Sequence, residues 1–78
     1  MLRYSLIREN EQEIWYEYFP EGNEELGIII YNKKTKQCSI KELSTKDQNQ
    51  RYALKMFSKI RQFAKQGVYE QKGIVVWG

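Results

Sequence analysis

A single change of hydrophobic period divides this chain into a strand-forming part and a helix. Between residues 47 and 66, all large apolar side chains except Leu54 fall within one arc of roughly 140° on a wheel of 100° per residue. That arc contains Tyr52, Ala53, Met56, Phe57, Ile60, Phe63 and Ala64. Gly67 follows directly, and glycine readily adopts the left-handed conformation that ends a helix, so we predict one long amphipathic helix over 47–66. The candidate capping pairs at its start are Thr45 with Gln48 and Asp47 with Gln50.

The remaining apolar segments have the composition and alternation of β-strands. The predicted strands are Leu2–Leu6, Ile14–Phe19, Leu26–Tyr31, Gln37–Leu43 and Ile74–Trp77. Short polar turns join the first four, which favours a meander in which neighbours in sequence pair in space. The order β-β-β-β-α-β predicts an α+β fold: a single antiparallel, curved sheet of four to five strands packed on one long helix. We expect the last strand to lie beside the first.

The length and composition of the chain limit how its fold can be stabilised and indicate the cellular compartment in which we expect it. Its 78 residues form one domain, 1–78, and one cysteine without any histidine provides neither an internal disulfide nor a zinc site. No apolar run reaches the roughly 18 residues that a membrane-spanning helix needs. The first residues lack the apolar core of a secretion signal, so we expect a cytoplasmic protein that does not enter a membrane.

The residues that most often carry catalysis are missing or unfavourably placed. Without histidine, the usual general base and nucleophile partner is absent. Cys38 shares a strand face with Ile40, which is typical of a buried structural thiol. The five glycines are scattered and form no phosphate-binding loop. We therefore predict a protein that is not an enzyme and that uses no cofactor, no metal ion and no small-molecule substrate.

The central strands are apolar on both faces, although one helix can cover only one of them. The residues we expect on the second face, as a candidate interface, are Trp15, Phe19, Tyr31 and Trp77. A partner surface or a second copy of the chain would cover such a patch, and a half-closed sheet that encloses it is the alternative. Our leading hypothesis is a binding protein that acts through self-association or through a protein partner.

Charge is distributed unevenly along the chain. Residues 1–31 contain two basic and seven acidic residues, whereas residues 32–78 contain eleven basic and three acidic ones. The predicted helix carries five cations and no acid between residues 48 and 66, and its like-charged i,i+4 pairs destabilise it. The acidic half of the fold, an acidic partner or a nucleic acid could neutralise this face. The alternative function is therefore nucleic-acid binding, with the candidate contacts Arg51, Lys55, Lys59, Arg61, Lys65, Lys33, Lys34 and Lys36.

Three segments carry a resemblance to a known group of proteins. They are the strand and turn over 27–36, the helix that follows Asp47 and contains Tyr52-Ala53, and the final segment over 73–78. Together they resemble small uncharacterised bacterial proteins, mainly of low-GC Gram-positive organisms. The resemblance implies a stand-alone cytoplasmic α+β protein and brings no catalytic residue with it.

Overall fold

Five strands and one helix make up the fold in a computed structural model, which describes residues 1–77. The strands are β1 (Leu2–Glu9), β2 (Glu13–Pro20), β3 (Gly27–Asn32), β4 (Gln37–Glu42) and β5 (Lys72–Val75), and the helix is α1 (Arg51–Gln66). The strands form one sheet in the order β4-β3-β2-β1-β5, in which all neighbours are antiparallel. The predicted α+β class, the element order and the position of the last strand beside the first are all confirmed.

The helix begins four residues later than its hydrophobic pattern predicts. Gln50 has a left-handed backbone (φ 62°), so regular helix starts at Arg51. The cap nevertheless comes from Asp47: its Oδ1 accepts the N–H of Tyr52 at 3.0 Å, and its Oδ2 accepts the N–H of Ala53 at 2.9 Å. The prediction that Asp47 caps the helix is therefore confirmed, although Asp47 acts across a turn and without Gln50 as its side-chain partner.

The helix ends where the sequence predicts. Gly67 is left-handed (φ 77°), and its N–H donates to the carbonyl of Phe63 at 2.8 Å. The N–H of Val68 donates to the same carbonyl at 3.2 Å. These bonds satisfy a terminal helix carbonyl and turn the chain back toward the sheet.

The core between the sheet and α1 is rich in tyrosine. Its buried members are Leu2, Tyr4, Ile14, Tyr16, Tyr18, Ile29, Tyr31, Ala53, Met56, Ile60 and Phe63. Three of the tyrosine hydroxyls donate to the segments that flank the helix. Tyr18 donates to Asp47 Oδ2 at 3.1 Å, while Tyr4 and Tyr16 donate to the side chain and the carbonyl of Glu70 at 2.9 and 2.6 Å. Each large aromatic ring thus fills the core while its polar end remains hydrogen-bonded.

Two of these tyrosines lie over glycines on neighbouring strands. Tyr18 pairs across the sheet with Gly27, and Tyr4 pairs with Gly73. A Cβ atom added at Gly27 would lie 2.5 Å from Cζ of Tyr18, and one added at Gly73 would lie 2.5 Å from the hydroxyl oxygen of Tyr4. Both rings occupy the space that a side chain on the adjacent strand would need.

The sheet face opposite the helix differs from the predicted aromatic patch. Tyr31 is only 4% exposed and belongs to the helix-facing core, and Trp77 packs on the helix residue Tyr52 with 5.5 Å between ring centroids. Their placement on the second face is therefore wrong, because alternation alone does not show which of two apolar strand faces meets the helix.

Cationic side chains cover the two aromatic residues that do lie on this second face. The guanidinium carbon of Arg3 is 4.0 Å from the ring centroid of Phe19, which is 8% exposed. Trp15 is approached by Arg8 at 5.2 Å and by Lys41 at 5.3 Å. The aliphatic parts of long basic side chains can cover apolar surface while their charges remain in water. Basic side chains therefore shield Phe19 and Trp15 without a second helical layer.

The glycine–tyrosine pairs predict a large effect of adding one methyl group. We expect Gly27→Ala and Gly73→Ala each to lower the free energy of unfolding by about 1–3 kcal/mol, because the neighbouring ring must move. Ser39→Ala, on exposed β4, is the control and should change stability by no more than about 0.5 kcal/mol. Urea denaturation followed by circular dichroism measures these differences, and a neutral effect at both glycines would contradict the packing described.

Alkaline pH should weaken the fold through the same tyrosines. Burial, the largest cause in both cases, raises the pKa of Tyr4 and the pKa of Tyr18 from 10.0 to about 12, and it also raises the pKa of Tyr16. A raised folded-state pKa stabilises the protein fully below the unfolded value of 10.0, and this contribution is lost as pH rises toward 12.

The stability should therefore show no tyrosine-dependent decline below pH 10.0 and should decline between pH 10.0 and 12. Each such tyrosine contributes a slope of up to about 1.4 kcal/mol per pH unit. Urea denaturation at several pH values gives the slope, and tyrosinate absorbance reports the ionisation. The Tyr4→Phe variant should decline less steeply than the unmodified chain, and an equal slope would contradict the assignment.

Candidate functional site

A basic cleft lies between the β3–β4 turn and the C-terminal end of α1. Its volume is about 570 Å³, and it is lined by Tyr31, Lys33, Lys36, Arg61, Ala64, Lys65 and Tyr69. Four of these residues carry a positive charge and none carries a negative one. We call this group of residues the cationic cleft. Its size is within the range of pockets that hold small organic groups such as a nucleotide.

The turn that supplies two of the cations is held by Asn32. Its side-chain oxygen accepts the N–H groups of Lys34 and Thr35, each at 2.9 Å, and its carbonyl accepts the N–H of Lys36 at 2.7 Å. Lys36 has a left-handed backbone (φ 61°), which lets the chain reverse into β4. Hydrogen bonds from the turn backbone to the side chain and carbonyl of Asn32 therefore fix the turn that brings Lys33 and Lys36 to the cleft.

The helix and the segment after it supply the other wall. Arg61 and Lys65 are four residues apart in the last turns of α1, so both lie on one side of the helix. The left-handed Gly67 then reverses the chain and brings Tyr69 onto the core, where its ring centroid lies 6.4 Å from that of Tyr31 and 6.5 Å from that of Phe63. The aromatic part of the cleft is thus anchored in the hydrophobic core.

Tyr69 remains a neutral hydrogen-bond donor at physiological pH. Burial raises the pKa of its phenol, and the neighbouring Tyr31 and Glu9 act in the same direction. The ammonium group of Lys33 lies 5.7 Å from its ring centroid. The cleft therefore combines four cations with a half-buried ring that can stack on a planar group.

Most of this positive charge has no carboxylate partner nearby. Within residues 1–77 the ion pairs are those of the Met1 amino group with Glu21 and of Lys33 Nζ with Glu9 Oε2 at 3.8 Å. None of the helix cations is in an ion pair in this part of the chain. Neutralisation of the helix by the acidic N-terminal half, one of the three alternatives, therefore gains no support from the geometry.

The structure brings together half of the eight candidate nucleic-acid contacts. Lys33, Lys36, Arg61 and Lys65 line the cationic cleft, whereas Arg51, Lys55, Lys59 and Lys34 do not. The ammonium groups of Lys55 and Lys59 lie over the rings of Trp77 and Phe63, at 5.3 and 5.5 Å. Sequence reasoning missed Tyr69, which lies between the predicted helix and the last predicted strand. The available signal was its position two residues after the helix-ending glycine, where a chain that folds back brings an aromatic residue onto the core.

Outside the cleft, three features of the described residues concern thiol chemistry, metal binding and membranes. Cys38 is half-buried at the margin of the core. Burial raises the pKa of its thiol and outweighs the opposing effect of nearby Arg61. No three histidine, cysteine, aspartate or glutamate side chains within residues 1–77 converge on a point that could hold a metal ion. Over the same residues, the one helix is too short and too polar to cross a membrane.

Comparisons with known proteins leave the chain without an assigned relative. No family model, no curated protein and no solved structure matches it. The resemblance to small proteins of low-GC Gram-positive bacteria therefore stays a prediction.

The environment of Cys38 predicts a slow thiol. Because its pKa is raised, less thiolate is present near neutral pH than at an ordinary cysteine. We expect alkylation by iodoacetamide at pH 8 to be at least about threefold slower in the folded protein than in the same chain unfolded in urea. Mass spectrometry of the alkylated fraction over time gives both rates, and equal rates would contradict a shielded thiol.

Proposed function

We propose that this protein binds single-stranded nucleic acid at the cationic cleft, without catalysing a reaction on it. The observation that carries the proposal is the convergence of Lys33, Lys36, Arg61 and Lys65 around one concave site whose lining contains no acid. Phosphate groups are the biological anions that such clusters of lysine and arginine bind most commonly. The proposal includes the cytoplasmic location predicted from the sequence.

Two properties of the cleft favour a nucleic acid over an acidic protein surface. The site is an open cleft of about 570 Å³, so a protruding phosphate or nucleotide can enter it more readily than a flat row of carboxylates can. Tyr69 lies beside the cations with its ring partly exposed. Stacking on an aromatic ring next to phosphate-binding cations is the common mode of single-strand recognition.

Self-association through an aromatic sheet face, the leading hypothesis from the sequence, loses part of its basis. Tyr31 and Trp77 pack on the helix side, while Phe19 and Trp15 are covered by basic side chains. A protein partner on that face stays a prediction, with Trp15 and Phe19 as its candidate contacts. The nucleic-acid hypothesis, by contrast, gains support, because the described residues form no ion pairs with the basic residues of the helix.

Salt dependence tests the phosphate contacts. If each of the four cleft cations engages one phosphate, a threefold rise in salt concentration should weaken single-strand binding by about 20-fold. Fluorescence anisotropy of labelled single-stranded and duplex oligonucleotides, at about 50 mM and about 150 mM salt, measures this change. Absence of binding at the lower salt concentration would refute the proposal, and tighter binding of the duplex would refute its single-strand component.

Charge removal tests the location. The Arg61→Gln, Lys65→Gln double variant should weaken single-strand binding by about tenfold or more, because two phosphate contacts are lost. The control is the Lys46→Gln, Arg51→Gln double variant, which also removes one lysine and one arginine, but from exposed positions outside the cleft. The control should weaken binding by less than about threefold. Equal losses in the two variants would mean diffuse attraction rather than a site.

Substitutions at Tyr69 distinguish the contribution of base stacking from that of charge attraction. Tyr69→Leu should weaken single-strand binding by about fivefold or more, since stacking of one base contributes about 1–3 kcal/mol. Tyr69→Phe keeps the ring and should bind within about twofold of the unmodified chain. The salt dependence should be the same for both variants, because no cation changes. Equal affinities of the leucine and phenylalanine variants would exclude a stacking role.

A further inference from the structure

The edge of the sheet formed by β5 is apolar and lacks a neighbouring strand. Ile74 is 54% exposed, and Val76, two residues later, is 75% exposed. Ile74 lies in β5, the edge strand of the order β4-β3-β2-β1-β5, and Val76 directly follows that strand. Edge strands present free backbone donors and acceptors, so a second strand is the chemical partner that fits them.

The register shows which backbone groups are free. Gly73 and Val75 are paired with Tyr4 and Leu2, and the N–H of Leu6 donates to the carbonyl of Gln71 at 2.7 Å in the same register. In an antiparallel ladder the hydrogen-bonded residues alternate. Gln71, Gly73 and Val75 therefore direct their N–H and C=O groups toward β1, whereas Lys72 and Ile74 direct theirs away from the sheet.

We propose that a second copy of this chain pairs with β5 in antiparallel orientation, about a two-fold axis at Ile74. Ile74 of each copy then exchanges two backbone hydrogen bonds with Ile74 of the other. Lys72 of each copy lies opposite Val76 of the other, so no like charges face one another. The two five-stranded sheets become one continuous sheet of ten strands. The segment is complementary to itself, which selects a second copy over an unrelated strand.

The neighbouring cation on β1 does not oppose this contact. Arg3 is the cross-strand neighbour of Ile74, but its guanidinium carbon lies 4.0 Å from the ring centroid of Phe19 on β2. The charge is therefore directed toward the interior of the sheet face and away from the edge.

The opposite edge carries features that prevent pairing, which limits the assembly to two copies. β4 has a register irregularity opposite Ile28 and Ile29, and the charged residues Lys41 and Glu42 lie at that point. None of the exposed large hydrophobic residues within 1–77 belongs to β4. Irregularities and charges of this kind protect natural edge strands. Because one edge pairs and the other does not, association closes as a dimer and does not continue into a fibre.

Sedimentation equilibrium over a range of protein concentrations tests the dimer. The mass should rise from 9.4 kDa toward twice that value as concentration increases. Ile74→Lys places two ammonium groups at the two-fold axis and should raise the dissociation constant by at least about tenfold. Leu54→Lys is the matched control, since Leu54 is also 54% exposed but lies on the helix. The control should dimerise as the unmodified chain does.

Hydrogen exchange of the backbone provides a readout that needs no variant. The amides of Lys72, Ile74 and Val76 should exchange rapidly in dilute solution and become protected as concentration rises, whereas those of Gly73 and Val75 should be protected at both concentrations. Rapid exchange of Ile74 at all concentrations, a mass that stays at 9.4 kDa, or an equal effect of the two lysine substitutions would overturn the proposal. These results do not depend on nucleic acid, so they test the dimer separately from the cationic cleft.

Discussion

One buried carboxylate connects the two layers of this fold. Asp47 is 1% exposed and accepts hydrogen bonds from the hydroxyl of Tyr18 and from the N–H groups of Tyr52 and Ala53. The first bond fixes it to the middle of the sheet, and the other two satisfy donors that every helix leaves open at its start. At the other end, Glu70 accepts from two further core tyrosines. The helix is therefore held at both ends, and the cationic cleft at its C-terminal end depends on that attachment.

The second sheet face shows how a small domain with one helix can cover apolar residues that the helix does not reach. A chain of this length has too little sequence for a second layer, yet both faces of its central strands are apolar. Arg3 over Phe19, with Arg8 and Lys41 beside Trp15, replaces part of that missing layer. The basic residues of this protein therefore have two distinct roles. Some cover aromatic rings on the sheet, and others line a concave site in which only Lys33 is paired with a carboxylate among the described residues.

Local sequence patterns predict much of the fold, whereas they predict only part of the candidate site. The helix, its end at Gly67 and the pairing of β1 to β4 follow from periodicity and turn chemistry, which act over a few residues. The place of β5 beside β1 was expected but is not fixed by local pattern. The true helix start depends on the left-handed Gln50, which no hydrophobic pattern reveals. The faces of Tyr31 and Trp77 depend on packing across the whole sheet. The cleft cations were named, but their convergence with Tyr69 requires contacts between residues more than thirty positions apart.

Because tyrosine rings lie over two glycines, substitutions at these glycines are coupled to substitutions at the facing tyrosines. At Gly27 and Gly73 a side chain is excluded by a ring on the adjacent strand, and each ring also provides a hydroxyl that holds one end of the helix. A side chain at either glycine fits without displacing the ring only if the facing tyrosine is replaced by a smaller residue. That replacement would remove one hydrogen bond to Asp47 or to Glu70. The glycine and the tyrosine of each pair therefore constrain each other during evolution. A substitution at the glycine alone is destabilising, and a smaller residue in place of the tyrosine restores the space but not the hydrogen bond to the helix-flanking residue.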